Sequence, residues 1–140
     1  MAVVKDDELP DDLYHHKEHM WLRIEGDVAV VGLNDFAQKL AGEIQFVELP
    51  EEEDEIGADE VVGTVETGKW VGKLYSPISG EICGVNEEVD DDPSLINSDP
   101  YGNGWLFKVK MSDEEELGGL MKGAAAVAWL EQEIAKHDKG

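Results

Sequence analysis

Lys69 is the residue of this 140-residue chain whose type and position best suit chemistry. It follows Thr67-Gly68 and lies between two runs rich in apolar residues, Val61–Val65 and Val71–Tyr75. Two strand-like runs joined by a short glycine-containing segment predict a β-hairpin. A lysine in such a tight turn is held away from the body, so its amine is accessible to another protein's active site. The common alternative is a solvated lysine without a role, since most charged turn residues are merely exposed.

The sequence around Lys69 distinguishes these alternatives. Gly-Thr-Val-Glu (63–66) precedes it, and Leu-Tyr-Ser-Pro-Ile-Ser-Gly-Glu (74–81) and Val-Asn (85–86) follow it. This stretch resembles the lipoyl-lysine hairpin of the glycine cleavage H-protein family. The resemblance implies a carrier protein with lipoic acid in amide linkage to Lys69. The residues that would flank this arm are Glu66, Gly68 and Trp70.

The immediate neighbours of Lys69 depart from the usual family pattern. Glycine-cleavage members usually have Val before the lysine and Ala after it, and Ser-Asp where this chain has Gly72-Lys73. The altered pattern is similar to that of the H-like lipoate-binding proteins of a heterodisulfide-reductase-like system of sulfur oxidation. We therefore favour a carrier of sulfur species whose partner is a heterodisulfide-reductase-like complex.

The alternative is the ordinary aminomethyl carrier of glycine cleavage. The resemblance then implies glycine decarboxylase, aminomethyltransferase and dihydrolipoamide dehydrogenase as partners. In both cases a lipoate ligase or a lipoyl-transfer enzyme would modify Lys69. A biotin carrier would present Met-Lys-Met, which Gly68-Lys69-Trp70 does not match, and an adaptor without carrier activity would lack the lysine.

No catalytic motif accompanies Lys69. The sequence contains no G-x-S-x-G, no phosphate-binding P-loop and no paired-glycine dinucleotide motif. His15, His16 and His19 lack a cysteine or a fourth histidine at a zinc-like spacing, so we expect no metal site. The one cysteine, Cys83, lies in an apolar run and is predicted to be a packed strand thiol. The sequence therefore indicates a carrier protein and not an enzyme.

Charge narrows the choice of partners. The chain has 33 acidic and 11 basic residues, which gives a net charge of −22. Nucleic acids and anionic membranes are poor partners because their phosphates would be repelled. Either partners with basic docking surfaces or adaptation to a salty cytoplasm explains the acidity. No apolar run approaches the ~18 residues of a membrane helix. We expect a cytoplasmic monomer.

The elements that must position Lys69 indicate a mainly β protein. We predict an acidic N-terminal leader over 1–13 and a single lipoyl domain over 14–140. The resemblance implies a barrel-sandwich hybrid of two small antiparallel sheets with short helices and a C-terminal helix. The pattern G-E-I-x-x-V occurs at 42–47 and again at 80–85, which suggests two halves built alike.

Helix signals are few. Asn34 is a predicted N-cap of a short helix that ends at Gly42. Ser112 begins a capping-box spacing and is expected to start a second helix. Residues 123–136 are predicted to form the final helix, with Val127, Leu130 and Ile134 on one face.

Overall fold

The computed structural model describes residues 2–4, 7–9, 13–68 and 71–138, with side chains from 13–68 and 71–136. The strands in these ranges are β1 (Ala2–Val4), β2 (Asp7–Leu9), β3 (Tyr14–His15), β4 (Met20–Glu25), β5 (Val28–Leu33), β6 (Ile44–Glu48), β7 (Glu55–Ile56), β8 (Val61–Thr67), β9 (Val71–Tyr75), β10 (Gly80–Val85) and β11 (Phe107–Met111). The helices are α1 (Asp35–Ala41), α2 (Glu87–Asp91), α3 (Leu95–Ser98), a 3-10 helix (Glu114–Gly119) and α4 (Ala124–Asp138).

Two antiparallel sheets make up the body of the protein. The larger has six strands in the order β3-β4-β5-β11-β10-β7, and the smaller has three in the order β6-β8-β9. This arrangement, with short helices and the C-terminal α4, confirms the predicted mainly β fold. A further ribbon of β1 and β2 lies within the segment predicted to be a leader. The domain boundary at residue 13 stays a prediction.

The core lies between the two sheets. Leu22, Val31 and Phe107 of the larger sheet are fully buried with Val65 and Leu74 of the smaller one. Alternate residues of a strand point to opposite faces, so each sheet contributes one apolar face to this core. Val65 and Leu74 belong to the two strands that flank Lys69, so the core holds the base of that hairpin.

A second apolar cluster forms on the other side of the larger sheet, around Trp21. Trp21 pairs with Gly32 across β4 and β5. A Cβ atom at Gly32 would lie 2.5 Å from the indole, so only glycine leaves room for this ring. The indole Nε1 donates to the carbonyl oxygen of Pro100 at 3.0 Å, which ties the turn after α3 to the sheet.

The two G-E-I-x-x-V segments form equivalent strands with equivalent irregularities. β6 has a register shift between Ile44 and Phe46, and β10 has one between Ile82 and Gly84. The extra residue in β10 is Cys83, which is exposed. The prediction of a packed thiol was wrong, because the bulge and the burial of Ile82 direct Cys83 outward.

The helix predictions are partly confirmed. Asn34 caps α1, since its Oδ1 accepts from the Ala37 N–H at 2.8 Å. The capping-box segment forms a 3-10 helix that is capped by Asp113, one residue later than predicted. The acidic segment 87–91 forms a further short helix, because Asn86 caps it and Val89 packs in the core. Leu130 and Ile134 of α4 pack against Phe36.

Candidate functional site

The candidate site is the end of the β8–β9 hairpin. The last paired residues of its two strands are Glu66 and Val71. Thr67 still belongs to β8, because it pairs with Ile44 of β6. Residues 68–70 therefore connect the strands, as predicted. Lys69 and Trp70 lie outside the described residues.

Gly68 is exposed, and a Cβ atom there would have only the Gln45 side chain nearby, at 3.8 Å. Neither space nor a positive φ angle requires glycine at this position.

The base of the hairpin is anchored by close backbone packing. A Cβ atom at Gly63 of β8 would lie 2.1 Å from the carbonyl oxygen of Glu48, so only glycine allows β6 to approach this closely. Beyond β9, the Ser76 backbone N–H donates to Glu60 at 2.9 Å, and the Ser76 carbonyl accepts from Asp59 at 2.7 Å. These contacts fix the hairpin as a stiff platform for the residues at its end.

Three side chains form one row across the smaller sheet, at the end of the hairpin from which residues 68–70 extend. Phe46 of β6 pairs with Glu66 of β8, and Glu66 pairs with Val71 of β9. Directly paired residues of antiparallel strands lie on the same face of the sheet. All three are exposed. We call Phe46, Glu66 and Val71 the tip row.

Sequence reasoning identified Glu66 but missed Phe46. Regular strand alternation, counted from the buried Ile44, would predict that Phe46 points into the core. The bulge at Gln45 shifts the alternation by one residue, so Phe46 points to solvent instead. No signal in the sequence marks that bulge.

An open groove of about 550 Å³ runs beside the hairpin. Leu33, Ala37 and Leu40 line it from the side of β5 and α1, and Val71 and Lys73 line it from β9. Its polar rim also includes Glu18 and His19. The wall is thus mainly aliphatic, and Lys73 supplies a cation on the β9 side. An alkyl chain anchored near the hairpin end would find apolar contacts here.

A buried histidine stabilises the loop that leads into β8. The Glu18 N–H donates to His16 Nδ1 at 3.1 Å, so Nε2 carries the proton that is donated to Asp59 Oδ1 at 2.5 Å. This hydrogen bond, helped by the nearby charge of Lys17, lowers the pKa of the Asp59 carboxyl against the opposing effect of desolvation. The pair lies at the opposite end of β8 from the tip row.

Replacing Asp59 with Asn is expected to reduce the free energy of unfolding at pH 7 by up to ~1 kcal/mol, because solvent screens this half-exposed carboxylate. Asparagine tolerates the positive φ of this position, so the change removes mainly charge. The pKa of Asp59 is lower in the folded protein than in the unfolded chain, where it is near 3.8, so the ionised carboxylate stabilises the fold at pH values above 3.8. This stabilisation is lost as the pH falls through the pKa of the folded state.

Urea titrations of the wild type and the Asp59→Asn variant at neutral and acid pH would measure this. Their free energies should converge in acid, and a difference independent of pH would contradict the assignment.

Comparison with known proteins identifies the family and agrees with the fold. The sequence model of the family described as "Glycine cleavage H-protein" matches residues 13–133. The chain belongs to the glycine cleavage H-protein family. Proteins of this family carry lipoic acid attached covalently to a lysine.

Individual H-proteins agree with this assignment. The chain is 45% identical over 125 residues to the glycine cleavage system H protein of Carboxydothermus hydrogenoformans, covering 89% of this chain and 96% of that protein. It is 44% identical over 113 residues to that of Staphylococcus carnosus, covering 81% and 90%.

The crystal structure of a glycine cleavage system H protein from Mycobacterium marinum matches with a TM-score of 0.71 and 36% identity, over 79% of this chain and 97% of that one. These relatives favour the glycine-cleavage alternative over the sulfur-linked carrier that the flanks of Lys69 suggested.

Within the part of the chain that the structure describes, no helix is long and apolar enough to span a bilayer. The same residues contain no group of three or more His, Cys, Asp or Glu side chains placed to hold a metal ion.

Proposed function

We propose that this H-protein is a lipoyl carrier of the glycine-cleavage type, with lipoic acid attached to Lys69. The observation that carries the proposal is the pairing of β8 with β9, in which Glu66 and Val71 form the last pair before the connecting segment. Lys69 is then the lysine of the connecting segment, whereas the neighbouring Lys73 is paired with Thr64 inside the ladder. Glu66, Gly68 and Trp70 are the proposed flanking residues.

The described residues suit such a group. The aliphatic wall formed by Leu33, Ala37, Leu40 and Val71 fits a hydrocarbon chain, and the anchored hairpin provides a fixed base for it. When bound, lipoic acid supplies reversible dithiol–disulfide chemistry. The chain's own residues supply position: tethering raises the effective concentration at a partner site into the millimolar range for a short flexible link.

Catalysis then belongs to the partners. The H-protein family works with glycine decarboxylase, aminomethyltransferase and lipoamide dehydrogenase. We propose these enzymes as the partners of this chain, in the cytoplasm and with the chain as a monomer.

The test is the intact mass of the full chain after co-expression with a lipoate–protein ligase, followed by peptide mapping. One lipoyl group at Lys69 is expected. An unmodified chain, or a group on Lys73, would contradict the proposal.

A second candidate is the sulfur-linked carrier, whose partner would be a heterodisulfide-reductase-like complex. The observation that favours it is Lys73, an exposed cation in the wall of the groove. A cation there attracts an anionic cargo and repels an amine that is protonated at neutral pH, although Glu18 on the same rim offsets part of this effect.

Replacing Lys73 with Asp separates the two candidates. For an amine cargo, the variant should raise kcat/KM of the glycine–bicarbonate exchange catalysed with glycine decarboxylase by roughly twofold to fivefold, the scale of one exposed charge pair. Lys108→Asp is the matched control, because Lys108 lies on β11 beside Trp105 and outside this groove. A wild-type chain inactive in this exchange, but lipoylated, would favour the sulfur-linked candidate.

A further inference from the structure

A second cavity, of about 500 Å³, lies between β3, the loop before β8 and α4, and none of its described lining residues belongs to the groove beside the hairpin. We call it the α4 pocket. Its described walls are residues 15–17, 58–59, 77, 116, 119–121 and 129. A cavity of this volume is large enough for a small organic ligand. We propose that the α4 pocket binds a small molecule with one protonated amine and an aromatic or branched apolar body.

The first argument is the apolar part of the wall. Pro77 is buried, and Leu120, Met121 and Trp129 are partly buried. Aromatic and thioether side chains offer polarisable surface to the hydrocarbon body of a ligand, and the face of an indole also attracts an organic cation. The Trp129 ring packs against His19, with the ring centroids 5.0 Å apart, so it forms a fixed wall of the cavity.

The second argument is charge. Among the described wall residues, Asp59 and Glu116 are carboxylates and Lys17 is a lysine, so the acidic groups outnumber the basic one. The whole chain adds to this negative potential, because its net charge is −22. Such a potential attracts a cation and repels an anion. The α4 pocket therefore favours an amine over a carboxylic acid of the same shape.

The third argument is that Asp59 has an oxygen available for a ligand. Its Oδ1 accepts from His16 Nε2 at 2.5 Å, which fixes the carboxylate in the wall. Within the described ranges no group donates a hydrogen bond to Oδ2. Both oxygens of Glu116 are instead occupied by Ser79, whose N–H and hydroxyl donate at 2.7 and 2.8 Å. The ammonium group therefore binds Asp59 Oδ2, and Glu116 contributes its charge.

The experiment uses phenethylamine as the probe, because its amine, like that of lysine, is protonated at neutral pH and it carries a phenyl ring. Binding to the full chain is followed by NMR through the indole N–H signal of Trp129, which a Trp129→Phe variant identifies. A saturable shift with a Kd on the order of 1 mM is expected for a ligand of this size. 3-Phenylpropionate, which has a carboxylate in place of the amine, should bind at least about tenfold more weakly.

Two substitutions in the wall should change the affinity for phenethylamine in opposite directions. Asp59→Asn removes the anchor and should raise the Kd roughly threefold to tenfold, the scale of one partly exposed charge pair. Lys17 is close enough to Asp59 for its charge to act on that carboxyl, so it competes with the ligand. Lys17→Gln should therefore lower the Kd by about twofold.

Asp90→Asn is the matched control. It makes the same change of charge as Asp59→Asn, but Asp90 is exposed on α2 and lies outside the α4 pocket. Its Kd should stay within about 1.5-fold of the wild type, because solvent and salt screen a distant surface charge.

Three results would overturn the proposal: no saturable shift of the Trp129 signal with phenethylamine, equal affinities for the amine and the carboxylate, or a Kd that Asp59→Asn changes no more than Asp90→Asn does. All of these measurements use the chain without lipoic acid, so they test the α4 pocket separately from the carrier function of Lys69.

Discussion

Replacing Lys69 with Arg is expected to reduce lipoylation of the chain below detection and to abolish its turnover as a carrier. Arginine keeps the positive charge and a similar length, but its guanidinium stays protonated in proteins and offers no free amine for acylation. Intact mass after co-expression with a lipoate–protein ligase measures the first effect. The glycine–bicarbonate exchange with glycine decarboxylase measures the second.

Lys73→Arg is the control for this experiment. Lys73 is paired with Thr64 in the hairpin ladder, and the change should leave the lipoyl mass in place. The melting temperatures of both variants should match the wild type. Lys73 is exposed, and Lys69 comes directly after the exposed Gly68, so neither change is expected to disturb the core. A Lys69→Arg chain that still gains a lipoyl group would place the attachment elsewhere and would remove the basis of the carrier proposal.

Replacing Trp21 with Ala is expected to lower the free energy of unfolding by about 3–5 kcal/mol, the usual cost of truncating a fully buried tryptophan. The ring fills the space over Gly32 and packs with Leu13 and Val30. Its loss also removes the hydrogen bond to Pro100. Because single domains have net stabilities of only ~5–15 kcal/mol, this is a large fraction of the total. Urea unfolding at constant pH measures it.

Trp21→Phe is the comparison for this prediction. It keeps an aromatic ring over Gly32 but removes the indole N–H, so a loss of roughly 1–2 kcal/mol is expected from one hydrogen bond and some buried area. A Trp21→Ala variant as stable as Trp21→Phe would contradict the view that ring volume dominates at this position.

Local sequence patterns predicted the hairpin and the short helix α1, whereas the arrangement in two small sheets was implied by the family resemblance. The apolar runs on either side of Thr67-Gly68 form β8 and β9, because strand alternation and a glycine-containing turn are local signals. Asn34 caps α1 for the same reason, since a cap needs only its own side chain and the next three residues. The repeated G-E-I-x-x-V pattern also predicted a pair of similar strands.

Features that depend on bulges or on distant residues were not predictable in this way. Cys83 and Phe46 were misplaced or missed, because each lies at a register shift that alternation cannot detect. His16 and Asp59 are 43 residues apart, and only the folding of the whole chain brings the residue after β3 within hydrogen-bonding distance of the loop before β8. The groove likewise forms where α1 comes to lie beside β9.

The amino-acid sequence by itself determined that this protein is mainly β and has one lysine in the short segment between two strands, because these properties follow from neighbouring residues. Only the tertiary structure decided which side chains lie at the end of the hairpin: Phe46, Glu66 and Val71 in one row, and Lys73 in the groove wall. The physical reason is that strand register and the approach of separate segments arise from the packing of the whole chain, and those choices set the charge and the apolar surface that a partner meets.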